Sequence, residues 1–265
     1  MKTRNVRRLE VSPIGMGCMG LSHGYGEVPE KDYSIEAIRK AYKKGCTFFD
    51  TAEVYGQEMF YLGHNEEIVG KAIEPFRENI ILATKFYIDE DELSEDKDLY
   101  TIIREHLNIS LENLKTDYVD LYYLHRVNEE IPLKDIAIVM GQLIDDGLIK
   151  EWGLSQVSLE MLTEAHEVTP VGAVQNLYNM MERDCEKKII PYCIENGISL
   201  IPFSPTASGF LSGKVTTETK FEGDDVRKFV PQLSKENIVA NQPFLDILEK
   251  FANEKNATNA QISLA

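Results

Sequence analysis

Short runs rich in β-branched and aromatic residues alternate with longer stretches of helical periodicity along nearly the whole chain. That alternation restricts the fold to βα units around a parallel sheet. Seven strands are expected, at residues 14–18, 47–51, 80–84, 118–124, 149–154, 172–177 and 199–203. Helical segments fall between them, among them 32–44, 65–74, 99–114, 133–146, 158–168 and 183–196. A short hairpin is expected at 3–12, ahead of the first unit. Gly45, Gly147 and Gly197 each stand between a helical pattern and a strand, where a left-handed cap ends the helix. Ser158 is placed to cap the helix that follows it, and Pro132 and Pro191 sit near helix starts.

At 265 residues the chain matches the roughly 250 residues of a parallel (β/α)₈ barrel. The expectation is one barrel domain over 1–265. The sequence runs out at 261–265, inside a helix pattern leading to an eighth strand, so the eighth βα unit is expected to be missing from this chain. An open doubly wound sheet also accommodates seven strands, using a glycine-rich phosphate turn after a strand. The nearest run, Gly15-Met16-Gly17-Cys18-Met19-Gly20, is taken here as wrongly spaced for that turn, which favours the barrel.

The formal net charge of −16 argues against nucleic acid, whose phosphates need a basic face. No apolar run approaches the roughly 18 residues of a spanning helix, and the opening segment lacks the apolar core of a secretory signal. Cys18, Cys46, Cys185 and Cys193 match no zinc module and are taken as reduced thiols of a cytoplasmic protein. The acidic run at 89–98 is expected to be a solvated loop.

In a barrel the active site forms at the carboxyl ends of the strands. The second strand leads into Asp50-Thr51-Ala52-Glu53-Val54-Tyr55, the third ends Thr84-Lys85 and the fourth ends Leu124-His125-Arg126. An acid, a phenol, an amine and an imidazole thus meet at three neighbouring strand ends. Carbonyl reduction needs a proton donor beside a hydride donor. An ammonium near a phenol lowers the phenol's pKa from about 10. Lys85 is expected to supply that charge to Tyr55, Asp50 to hold Lys85, and His125 to orient the carbonyl oxygen. Taken singly, each residue also has a plain structural use, as a loop cap, a rim residue or a solvated strand end.

The runs F-F-D-T-A-E-V-Y-G, N-E-E-I-V-G-K-A-I, A-T-K-F, V-D-L-Y-Y-L-H-R, G-L-S, V-Q-N-L-Y-N and S-P-T-A-S-G-F-L-S-G-K occur in that order. Together they resemble the aldo-keto reductases, most closely a bacterial and plant branch. The resemblance implies an NADP(H)-dependent barrel enzyme, with NAD(H) as the alternative cofactor and no metal. It implies direct hydride transfer to a small aldehyde or ketone, with Tyr55 as general acid, Asp50 and Lys85 lowering its pKa, and His125 orienting substrate. It places Ser155, Gln175 and, more weakly, Asn176 at the nicotinamide carboxamide. Phe203 is placed against the nicotinamide ring, and Ser204, Gly209, Leu211 and Lys214 along the pyrophosphate. Without the resemblance, Gln175 and Asn176 could serve only strand-end backbone groups, Phe203 could be core, and Gly209 could be a turn. Two other readings stand beside this one. One is a nicotinamide-binding regulatory or catalytically impaired module; the other is an unrelated barrel isomerase or lyase.

Overall fold

The structure, a computed structural model, describes residues 2–94 and 97–265. Strands β1 (Arg4–Val6) and β2 (Leu9–Val11) form an antiparallel hairpin. Seven parallel strands follow in sequential order: β3 (Met16–Gly17), β4 (Phe48–Asp50), β5 (Ile81–Phe86), β6 (Val119–Leu124), β7 (Ile149–Ser155), β8 (Ala173–Gln175) and β9 (Ser199–Leu200). Helices α1 (Lys31–Lys43), α2 (His64–Ile73), α3 (Leu99–Leu114), α4 (Leu133–Asp145), α5 (Leu159–Val168) and α6 (Ile189–Asn196) separate them. After β9 come short 3-10 turns, α7 (Lys235–Lys255) and α8 (Asn259–Leu264). All seven expected strands are present, several of them shorter than expected.

Side chains alternate across a strand, and the core divides accordingly. Phe48, Ala83, Leu121, Tyr123 and Ala173, from β4, β5, β6 and β8, share one buried cluster with Val6, Leu9 and Val11 of the hairpin. Residues of four strands of one sheet meet the hairpin in this way because the sheet curls around a common interior whose base the hairpin plugs. The opposite set, including Phe49, Leu82, Tyr122, Trp152 and Val174, packs against the helices in a larger cluster. Gly153 makes the interior packing possible. A Cβ there would lie 2.5 Å from the Tyr123 ring and 2.7 Å from the Ala173 carbonyl.

Helix ends follow the sequence signals. Gly45, Gly147 and Gly197 adopt φ of 95°, 75° and 66°. The Ser158 hydroxyl accepts from the Met161 amide at 3.3 Å. The sixth helix differs from expectation: it begins at Ile189, after a 3-10 turn at Asp184–Glu186. Pro191 is tolerated within the first turn of a helix but not deeper, which fixes the start just before it. The run Gly15 to Gly20 carries the full G-x-G-x-x-G spacing, so spacing is no ground for discounting it. Its context decides the matter: β3 lies inside the run, a 3-10 turn at Met19–Leu21 follows, and α1 begins only at Lys31. No helix N-terminus is therefore presented there to a pyrophosphate.

At the strand-end face, the segment after β9 crosses to the loop after β3. The Val226 amide donates to the Gly24 carbonyl at 3.1 Å, and the Gly24 amide donates to Asp224 at 2.6 Å. No helix among the described residues is long and apolar enough to cross a membrane.

Candidate active site

Strand parity decides which residues face the mouth. Asp50 shares the inward face with Phe48, Lys85 with Ala83, and Gln175 with Ala173. His125 continues the inward set Leu121–Tyr123 one step past β6, and Phe203 continues that of Ile201 past β9. Ser155 is in register with Gln175. Asp50, Lys85, His125, Ser155, Gln175 and Phe203 therefore point to one cavity rim.

The centre of this group is Lys85, which is fully buried. Its ammonium donates to Asp50 Oδ1 at 2.5 Å, to the Thr51 carbonyl at 2.7 Å and to the Tyr55 hydroxyl oxygen at 3.0 Å. An ammonium has three donors, and all three are used. Burial opposes the charge, but Asp50 and Tyr55 outweigh it and raise the Lys85 pKa. The second Asp50 oxygen accepts from Gln175 Nε2 at 2.9 Å. Because the Tyr55 oxygen accepts from Lys85, its own proton is free to be donated elsewhere. The His125 ring stands edge-on to Tyr55 at 5.6 Å, and the His23 ring lies 5.8 Å away.

One electrostatic expectation is corrected. Lys85 does lower the Tyr55 pKa, but burial is the larger effect and Asp50 also raises it, so the net shift is upward. Tyr55 is thus held as a protonated phenol. His125 is driven the other way, to about 2, by burial first and then by Lys85, Arg126 and His23. Its imidazole is neutral.

The sequence reading missed the brace behind these groups. The inward residues Asp50 and Lys85 each have a buried threonine as neighbour, Thr51 and Thr84, and α2 holds both threonines. The Thr51 hydroxyl donates to Asn65 Oδ1 and the Thr84 hydroxyl donates to Glu66 Oε1, each at 2.6 Å. Asn65 in turn donates to the Cys18 carbonyl and to Ser22. Buried Glu53 ties the Tyr55 loop to the end of β5, accepting from the Tyr87 amide at 2.8 Å and pairing with His106 Nδ1 at 2.8 Å. His106 Nε2 reaches Glu92 at 2.9 Å, so the acidic run is partly anchored; Glu95 and Asp96 of that run lie outside the described residues. The signal was present as N-E within N-E-E-I-V-G, but helical periodicity alone does not say which strand residues a helix will meet.

The proposed cofactor residues divide. Asn176 stands on the outward face, with its Oδ1 accepting from the Val157 amide and its Nδ2 donating to the Val157 carbonyl. Phe203 is half-buried and belongs to none of the apolar clusters, which leaves its ring available at the rim. Ser204, Ala207, Ser208, Gly209 and Gly213 all have positive φ. Three of these five carry side chains, an unusual concentration of left-handed backbone, and the loop bends around the end of β9. The Leu211 side chain is buried in a separate cluster with Phe210, and Lys214 is exposed. A nicotinamide dinucleotide fits these residues: buried polar groups Ser155 and Gln175, a free aromatic face, and a curled loop of backbone amides.

The fold and this site define a carbonyl oxidoreductase on a parallel barrel, and the comparisons agree. The Aldo/keto reductase family model matches residues 13–265. A probable aldo-keto reductase of Glycine max is 36% identical over 261 residues, covering 97% of this chain and 73% of that protein. The aldo-keto reductase YhdN of Bacillus subtilis (strain 168) is 36% identical over 251 residues, covering 93% and 74%. The solved structure of a glycerol dehydrogenase of Gluconobacter oxydans superposes with a TM-score of 0.84 at 28% identity, covering 97% of this chain and 80% of that one. The chain belongs to the aldo/keto reductase family.

Proposed function

We propose that this protein reduces small aldehydes or ketones to alcohols, with NADP(H) as cofactor and NAD(H) as the alternative, and with Tyr55 as general acid. The observation that carries the reading is the saturated Lys85 ammonium: it accepts no further partner, holds the Tyr55 oxygen, and leaves the phenol proton for a substrate. The bound reduced nicotinamide would supply the hydride. Ser155 and Gln175 would hold its carboxamide, Phe203 its ring, and the 204–214 loop, through Ser204, Gly209, Leu211 and Lys214, its phosphates. Leu211 would contribute backbone only, because its side chain is committed to the core. Asn176 would act as a clamp on the Val157 loop and not as a ligand.

Neutral His125 would donate a hydrogen bond to the carbonyl oxygen and turn it towards Tyr55. As hydride reaches carbon, Tyr55 would pass its proton to the same oxygen, and Lys85 would stabilise the phenolate left behind. Asp50 would keep Lys85 charged and in place. The resulting reading is a single cytoplasmic barrel domain acting on a small-molecule carbonyl.

Oxidation of NADPH and NADH, followed with a panel of aldehydes and ketones, tests the reading. Turnover is expected, with NADPH preferred. Because Tyr55 is held protonated and His125 neutral, kcat/KM for reduction is expected to show no break near pH 6–7 and to fall only in the alkaline range. Binding of either cofactor without turnover on any carbonyl would instead favour a nicotinamide-bound regulatory module.

A further inference from the structure

The arginine that follows His125 has no role in the reaction described above. Arg126 is exposed at the rim, one residue past His125. Its side chain folds back over the mouth, because Nη1 donates to Ser155 Oγ at 3.2 Å and to the His125 carbonyl at 2.5 Å. Ser155 faces inward at the end of β7, so the guanidinium lies across the gap between β6 and β7. Both hydrogen bonds come from Nη1. Nε and Nη2 have no protein acceptor, and no carboxylate pairs with Arg126 among the described residues. The other ionisable groups at this mouth leave no counter-ion for it. Asp50 is divided between Lys85 and Gln175, and Asp224 faces His23 at 3.7 Å. Three basic groups, Lys85, Arg126 and His23, act on the His125 ring. Arg126 is therefore a cation at the reaction mouth with no carboxylate partner among the described residues, in a chain of net charge −16.

A guanidinium with two adjacent free donor nitrogens matches a planar carboxylate, which takes two parallel N–H···O bonds. We infer that Arg126 binds a carboxylate on the substrate, so that the favoured substrates are oxo acids: aldehydes or ketones carrying a carboxylate beside the carbonyl. The inference rests on the carbonyl-reductase reading. When Ser155 turns to a cofactor carboxamide, Nη1 keeps its bond to the His125 carbonyl, which anchors the arginine while Nε and Nη2 face the substrate. The phosphates of a dinucleotide would lie along the 204–214 loop beyond β9, on the far side of β8 from Arg126.

Phenylglyoxylate and its methyl ester form a matched pair of the same ketone with and without the charge. The ratio of kcat/KM for acid to ester is expected to fall roughly 10- to 100-fold in Arg126→Gln, mostly through KM for the acid. Arg126→Lys, which keeps the charge but loses the fork, should lie between. An acid-to-ester ratio unchanged in Arg126→Gln would overturn the inference. So would a loss of NADPH affinity as large as the loss of acid turnover, because it would assign the arginine to the cofactor. If neither compound is reduced by the unaltered protein, the reductase reading fails on its own. Calorimetric binding of phenylglyoxylate then decides Arg126: weaker binding in Arg126→Gln supports the assignment, and equal binding overturns it.

Discussion

Tyr55→Phe is expected to lower carbonyl reduction by about 10²- to 10⁴-fold, the usual loss when a general acid is removed, while leaving cofactor affinity close to that of the unaltered protein. The ring stays, and with it the edge-on contact to His125 and the tilted contact to His23. The hydroxyl is lost, and with it the acceptor of the third Lys85 bond. Lys85 keeps Asp50 and the Thr51 carbonyl, so the loop from Asp50 to Tyr55 is expected to hold its shape. Steady-state rates and cofactor titration by protein fluorescence separate the two effects. Equal losses in rate and in cofactor binding would mean that the substitution has damaged the cavity and not the chemistry.

Glu66→Gln is expected to stabilise the protein at alkaline pH and not in weak acid. Glu66 is fully buried, and burial, only partly offset by hydrogen bonds from Thr84 and Asn113, raises its pKa from 4.5 to about 7. A folded-state pKa above the unfolded value means that the native protein holds the proton more tightly. Stability therefore falls as pH rises from 4.5 to about 7 and stays lower above that, by roughly 3 kcal/mol. The neutral amide keeps an acceptor for the Thr84 hydroxyl without that cost. Urea unfolding at pH 5.5 and at pH 8 reads the difference: Glu66→Gln should unfold at higher urea than the unaltered protein at pH 8, with a much smaller gap at pH 5.5. His106 contributes in the same direction. Burial opposes its charge, but Glu53 and Glu92 outweigh burial and raise its pKa above 6.5, so its stabilisation is present below that pH and declines as pH rises. A gap of the same size at both pH values would contradict a buried, protonated Glu66.

The barrel was legible because strand period and helix period differ, and because the residues that matter stand at strand ends where sequence position translates into place. Asp50, Lys85, His125 and Gln175 share a rim because each lies an even number of residues above an inward core residue, which alternation alone supplies. Asn176, one residue away from Gln175, falls on the other face for the same reason. Helix α7 was not among the helical segments named from the sequence. It carries Pro243 inside and buries only Ile238, Leu245, Leu248 and Ala252 over 21 residues, so its apolar stripe is thin. The sign of the Tyr55 shift was also beyond the sequence. An ammonium next to a phenol suggests a lowered pKa, but the opposing burial depends on how α2 and the strand ends enclose the site. The threonines that brace Asp50 and Lys85 looked like ordinary strand residues until the helix that grips them was in place.

Transfer of label from a cofactor carrying deuterium at both C4 positions of the reduced nicotinamide tests the central claim most directly. Reduction of a ketone by the unaltered protein in ordinary water should give an alcohol with one deuterium on the carbinol carbon and an oxygen-bound proton from the protein and solvent. An alcohol without deuterium at that carbon would contradict direct hydride delivery at the Tyr55 site.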